Sequence, residues 1–152
     1  MRIGRIERSW AAESLRPAVG WKVWRVENGE LLSVLYGDRW PLDEPARATC
    51  RRHVHVGHEA PSPWCECGIH AGRELGAWDH YLAVGREERV FGRALLWGSV
   101  VEGARGWRGQ LARPVEIFVP PAVVGAAEVA EQLRAYGVPV HLLAPIRETV
   151  AA

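Results

Sequence analysis

The stretch "RVFGRALLWGSVVEGARGWRGQLARPVEIFV", residues 89–119, decides the fold. Arg89 to Glu102 is a long apolar run rich in β-branched and aromatic residues, and it reads as a strand buried on both faces. Gly98 in its middle signals a bulge or a close backbone approach. Gly103 to Gly106 makes a turn. Trp107 to Val119 then returns as an antiparallel strand, with Pro114 marking an edge or a break. So short a connection suits an antiparallel pair, because a parallel return needs a crossover of a dozen residues or more.

Upstream, "GWKVWRVENGELLSVLY" (20–36) reads as a second hairpin. Lys22, Trp24 and Val26 alternate with Trp21, Val23 and Arg25, and Asn28-Gly29 is a type I′ turn signal because both residues tolerate positive φ. Residues 1–19 form a mixed arm, with a short helix expected near Trp10 to Leu15. A short helix is also expected within 70–82, ending near Tyr81. Downstream, Pro120-Pro121 stops the strand. "AAEVAEQLRAYG" (126–137) is the clearest helix, with Val129, Leu133 and Tyr136 on one face and Gly137 as its C′ residue. "VPVHLLAP" (138–145) is a final strand, and the tail after Pro145 looks loose. The expected architecture is a single α+β domain over 1–152: a mostly antiparallel, strongly bent sheet with one main C-terminal helix.

Between these elements, residues 41–70 are rich in proline, glycine, histidine and cysteine, with little regular structure beyond a short strand at His53 to Val56. A loop this long in a small domain is functional or clamped. "TCRRHVHVGHEAPSPWCECGIHA" (49–71) holds all three cysteines and four of the six histidines. Structural zinc takes four cysteine or histidine ligands in a tetrahedron. The expected set is Cys50, His58, Cys65 and Cys67, with His53, His55 and His70 as substitutes. Cys65-Glu66-Cys67-Gly68 resembles a shortened zinc knuckle whose glycine lets the backbone turn toward the thiolates. One residue between cysteines is tight: two sulfurs on one zinc lie roughly 3.8 Å apart, whereas i and i+2 on a strand are about 6.5–7 Å apart. The backbone must bend, and Gly68 and the Pro61-Ser62-Pro63 segment allow it.

Two other readings of the thiols stand beside a metal site. They can be inert buried small hydrophobes, or Cys65 and Cys67 can be a redox pair. Three cysteines and a loop histidine favour a closed, structural zinc site over an open one with a water. Glu59, next to His58, could serve a metal-bound water as general base, but a solvated loop glutamate is the simpler account.

A second constellation surrounds the 103–106 turn: Trp97, Glu102, Trp107, Arg108 and Gln110. The simpler account is an ion pair of Glu102 with Arg108 across the turn. The functional one is a face for a small ligand or protein partner, with an aromatic wall and an arginine fork for an anion. Tryptophans near arginines also suit base stacking in single-stranded nucleic acid. The formal net charge of +1 does not favour that partner. There is no phosphate-loop or dinucleotide fingerprint and no nucleophile elbow around Ser99. His141 reads as a satisfied core histidine. A catalytic set is not evident; a metal-dependent hydrolase or a thiol-redox enzyme using Cys65 and Cys67 is the enzymatic alternative.

The chain has 152 residues, 48% of them hydrophobic and 24% charged, which suits one folded domain. Lys22 is its only lysine, among eight tryptophans. Met1 to Gly20 has no apolar signal core, and no apolar run reaches the length of a membrane span. The expectation is a soluble cytoplasmic protein without a membrane partner, where thiols stay reduced and clustered cysteines point to metal or chemistry.

Three segments together resemble a family of small bacterial proteins of high-GC genomes: "GWKVWRV…G.L.S" (20–33), "A.C…HEAP…C.CGIHA" (48–71) and "G.ALLWGSVVEGARGWRGQLA.P" (92–114). "YGVPV" (136–140) is similar to its C-terminal end. The resemblance spans about three quarters of the chain and carries no known activity. It implies that cysteines at 50, 65 and 67 recur together with His58, as a shared metal site would require. The chain departs from the family pattern at Gly103, where a histidine follows the glutamate.

Overall fold

The structure, a computed structural model, describes residues 10–51 and 58–146. Nine strands among these residues form one sheet, antiparallel except for its last pairing. Its spine is the hairpin expected from the sequence: β7 (Arg89–Gly103) pairs with β8 (Gly106–Val119) along almost its whole length. Burial along β7 alternates: Val90, Ala94 and Leu96 are fully buried, while Phe91, Leu95 and Trp97 are half-buried. The expectation of a strand buried on both faces is therefore corrected. An antiparallel strand can keep one face partly solvated. Gly98 does form a bulge: it has φ +76, and the register slips between Trp97 and Val100. The side-chain Oε1 of Gln110 accepts a hydrogen bond from the Ser99 amide at 3.1 Å, capping the bulge.

The second hairpin joins β2 (Ala18–Glu27) to β3 (Glu30–Ser33). Asn28 at φ 50 and Gly29 at φ 75 give the left-handed turn that matches strand twist. β4 (Arg39–Trp40) continues the sheet beyond β3. The arm differs from expectation: Trp10–Ser14 is strand β1, paired with β7 from Gly103 to Val100, in place of a short helix. A neighbouring strand with open backbone groups outweighs the weak helical preference of Ala11, Ala12 and Glu13.

β5 (Ala46–Arg47) and β6 (Ile69–Gly72) both pair with β8. β6 also touches β2, Gly72 opposite Trp21, so β2, β7, β8 and β6 form a closed circuit of pairings. Glycine makes the closure possible: a Cβ at Gly106 would lie 2.1 Å from the Ala71 carbonyl oxygen. The helix expected within 70–82 is shorter than its range, because β6 occupies the start. A 3-10 turn at Leu75–Trp78 and the single-turn helix α1 (Asp79–Ala83) follow.

Helix α2 (Ala126–Leu133), extended by a 3-10 turn to Tyr136 and ended by Gly137 at φ 71, lies where the sequence put it. Its Ala130 and Leu133 enter a core of Trp24, Leu31, Trp40, Leu96 and Ile117, with Trp24 and Trp40 edge to face at 5.3 Å. The Tyr136 hydroxyl ties helix to sheet. It accepts from the Leu31 amide at 2.8 Å and donates to the Trp40 carbonyl at 2.7 Å. β9 (Val140–Leu142) runs parallel to β8. His141 on β9 is exposed, against the expectation of a core histidine. It stacks on Phe118 at 4.8 Å and meets the Glu116 carboxylate at 2.9 Å. No helix of the described residues is long and apolar enough to cross a membrane.

Candidate metal centre

Strand β8 positions both ends of the cysteine loop. On one side, Ala46 and Arg47 pair with Ala112 and Leu111, and the Ala48 amide donates to the Gln110 carbonyl at 2.8 Å. Cys50 follows two residues later. On the other side, Ile69 and His70 pair with Gly109 and Arg108, which fixes Cys67 just before β6. Between them the backbone turns. The Cys65 amide donates to the Ser62 carbonyl at 3.1 Å, and Gly68 sits at φ +118. A Cβ at Gly68 would come within 2.9 Å of Pro61 Cβ and 3.0 Å of Arg108 Cβ. Gly68 thus supplies both the conformation and the clearance that a one-residue spacing between ligands needs.

The four expected ligands come together. The Sγ atoms of Cys50, Cys65 and Cys67 and a ring nitrogen of His58 all lie within 4.8 Å of one another. Cys50 Sγ and Cys65 Sγ are 3.7 Å apart, and His58 Nε2 is 3.3 Å from Cys67 Sγ. Tetrahedral zinc with ordinary bond lengths places two sulfurs about 3.8 Å apart and a sulfur and a nitrogen about 3.5 Å apart. The cluster is therefore spaced to hold a metal ion. Cys50, Cys65 and Ala60 are buried together, with Ala48 and Cys67 packed against them.

Burial pushes the Cys67 thiol up to about 12, and its hydrogen bond and proximity to Cys65 act in the same direction. Thiolates crowded into an apolar pocket are costly without a cation, and a divalent ion supplies the missing charge. A second source of positive charge lies beneath. Arg108 is fully buried, and its Nη1 donates to the Cys67 carbonyl at 2.6 Å and the Ser62 carbonyl at 3.1 Å. Three thiolates and a histidine around a divalent ion leave a net negative charge, which a buried guanidinium offsets.

The remaining sequence candidates separate. His70 is outside the four-ligand group: its Nδ1 faces the Gly68 carbonyl at 3.2 Å. Burial, with Lys22 and Arg108 nearby, pulls it down to about 4. His53 and His55, with the short strand expected at His53 to Val56, lie outside the described residues. Glu59 is exposed beside His58. Around the β7–β8 turn, Glu102 is in register with Trp107, and Arg108 with Val101. The ion pair of Glu102 is with Arg73, which donates to it at 2.7 Å and holds the carboxyl below its usual range. The Arg73 guanidinium also covers the Trp107 ring at 4.5 Å. Trp97 lies opposite Leu111, at the edge of the bulge. The expected face of Trp97, Glu102, Trp107 and Arg108 is thus divided: Arg108 belongs to the cysteine loop, and Trp107 to a cleft nearby.

That cleft has a volume of about 530 Å³. The three cysteines, Trp107, Trp40, Trp78 and Lys22 are among the residues that line it. Sequence reasoning did not assign a role to Arg73, Trp40, Trp78 or Lys22. A signal for Lys22 existed: the only lysine alternates in phase with Trp24, a residue of the core. For Arg73 there was none, since its partner is 29 residues away.

No protein-family model, no curated protein and no solved structure matches this chain.

Proposed function

We propose that Cys50, His58, Cys65 and Cys67 hold zinc in a closed structural site, and that the chain is a small binding module with no chemistry at the metal. The observation that carries this is the Cys3His geometry, four donors mutually within 4.8 Å. Four protein ligands leave no position for a catalytic water. The strongly raised Cys67 thiol also argues against a free redox pair, which needs a thiolate near neutral pH. The cleft against the cluster, walled by tryptophans and lined by residues of the same loop, is the place for a ligand. The high-GC bacterial family that the chain resembles would share this clamp.

Metal analysis tests the first half. Protein purified without chelator should carry close to one equivalent of zinc, and its cobalt-substituted form should show the intense ligand-field bands of tetrahedral thiolate coordination. Zinc below about a tenth of an equivalent, or an octahedral cobalt spectrum, defeats the proposal. Thiol titration adds an independent check: a metal-bound set reacts only after chelation, whereas a redox pair reacts freely.

A further inference from the structure

Lys22 is the only lysine of the chain, and only 5% of its surface is exposed. Its Nζ donates to the His70 carbonyl at 2.8 Å. It stands over the Trp78 ring at 4.8 Å and the Trp40 ring at 5.8 Å. Among the described residues no carboxylate forms an ion pair with it. An ammonium withdrawn from water without a counter-charge is costly, and burial pulls Lys22 down to about 7. A substantial fraction is therefore a neutral amine at pH 7, whereas an ordinary lysine near ~10.4 is neutral in fewer than about one molecule in a thousand.

The surroundings give the amine a ligand class. Aromatic rings wall the cleft, and its volume of about 530 Å³ suits a small molecule. The other charged side chains on its wall are Arg39, Arg47, Arg51 and Arg105 against Asp38 and Glu66, with His70, Tyr36, Tyr81 and the three cysteines as titratable neighbours. Asp38 is already engaged by Arg51. Arg39 is likewise engaged by Glu30, so Arg47 and Arg105 are the wall arginines without an ion pair among the described residues, and they suit an anionic guest.

We propose that the cleft captures a small 2-oxo acid, with Lys22 Nζ forming an imine at the carbonyl carbon and the wall arginines holding the carboxylate. The nitrogen lone pair attacks the carbonyl carbon, a C–N bond forms, and the proton lost by nitrogen passes to the former carbonyl oxygen. The carbinolamine then loses its hydroxyl and the remaining N–H proton together as water, leaving a C=N bond, with no oxidant or reductant consumed. This deepens the reading of the chain as a binding module by naming its ligand, and it uses no metal.

Glyoxylate, the simplest 2-oxo acid, is the probe, with cyanoborohydride to reduce the imine to a stable secondary amine. Peptide mapping should find one carboxymethyl group on Lys22. Its formation at pH 7 should be at least about tenfold faster than on Nα-acetyl-lysine in the same solution, with the advantage fading toward pH 10 as the ordinary amine loses its proton. Benzaldehyde, which lacks the carboxylate, should lose most of that advantage. Lys22→Met should abolish the adduct and keep the metal content of the parent protein. Labelling of Lys22 no faster than of acetyl-lysine overturns the proposal without any folding assumption, and equal advantage for benzaldehyde overturns the oxo-acid class. Zinc measured on the same samples separates the two readings: a zinc-free protein that traps glyoxylate loses only the metal assignment, and a zinc-loaded protein that does not trap it loses only the imine.

Discussion

The β7–β8 hairpin and the loop from Ala48 to Gly68 lie side by side and are held by opposite means. The hairpin is a continuous ladder, Phe91 with Phe118 through to Glu102 with Trp107, and it buries Val90, Ala94, Leu96, Ala112 and Ile117. The described part of the loop has no ladder of its own. It hangs from β8 by Ala48 at one end and β6 at the other, with Arg108 bonded to the Ser62 and Cys67 carbonyls and four metal-spaced donors between. The hairpin is stabilised by area removed from water, the loop by a few strong point interactions. Point interactions can be removed one at a time, so the two regions should fail separately.

Cys65→Ser should separate them most sharply. With metal binding lost, the stability of the loop drops by about 4 kcal/mol or more. In hydrogen exchange, the amides of Trp64 to Gly68 should lose protection by at least about a hundredfold, which corresponds to the first 2.7 kcal/mol of that loss, while the amides of β7 and β8 keep theirs. Equal loss in both regions would mean that the loop is integral to the hairpin's stability.

Leu96→Ala is the converse. Leu96 is fully buried in the main core, and truncation should lower global stability by about 3 kcal/mol in denaturant titration. Metal stoichiometry should stay that of the parent protein; its loss would show that clamp and core are one cooperative unit. Gly68→Ala is the smallest and most local change. The positive φ and the contacts with Pro61 and Arg108 should cost about 2 kcal/mol. The readout is faster transfer of metal to a competing chelator, with the thermal midpoint nearly kept. An unaltered transfer rate would show that the turn has no part in holding the ligands.

The features legible in the sequence are those fixed by neighbours along the chain. Asn28-Gly29 states its turn in two residues. Helix α2 repeats its apolar face and ends on Gly137. The grouping of Cys50, His58, Cys65 and Cys67 is legible because three cysteines and a histidine fall within 18 residues, Cys50 to Cys67. What was hidden depends on partners far along the chain. Trp10–Ser14 is a strand only because β7 offers it an edge. The face proposed for Trp97, Glu102, Trp107 and Arg108 assumed that closeness in sequence means a shared surface. Across β8, however, register sends Arg108 toward the Cys67 and Ser62 carbonyls, while Trp107 stacks with Arg73. The closed circuit of strands rests on Gly106 approaching Ala71, a contact that no local pattern announces.

Strand β6 is only four residues long, yet it touches both candidate sites. Its first residue, Ile69, lies two positions beyond Cys67, and its second, His70, offers the carbonyl that accepts a hydrogen bond from Lys22. A metal that fixed Cys67 would also fix that carbonyl, and a guest that drew Lys22 away would release it. Thermodynamic linkage would then make the effect mutual: whatever factor an ion at the cluster applied to the affinity of the cleft, a cleft ligand would apply to the affinity for that ion.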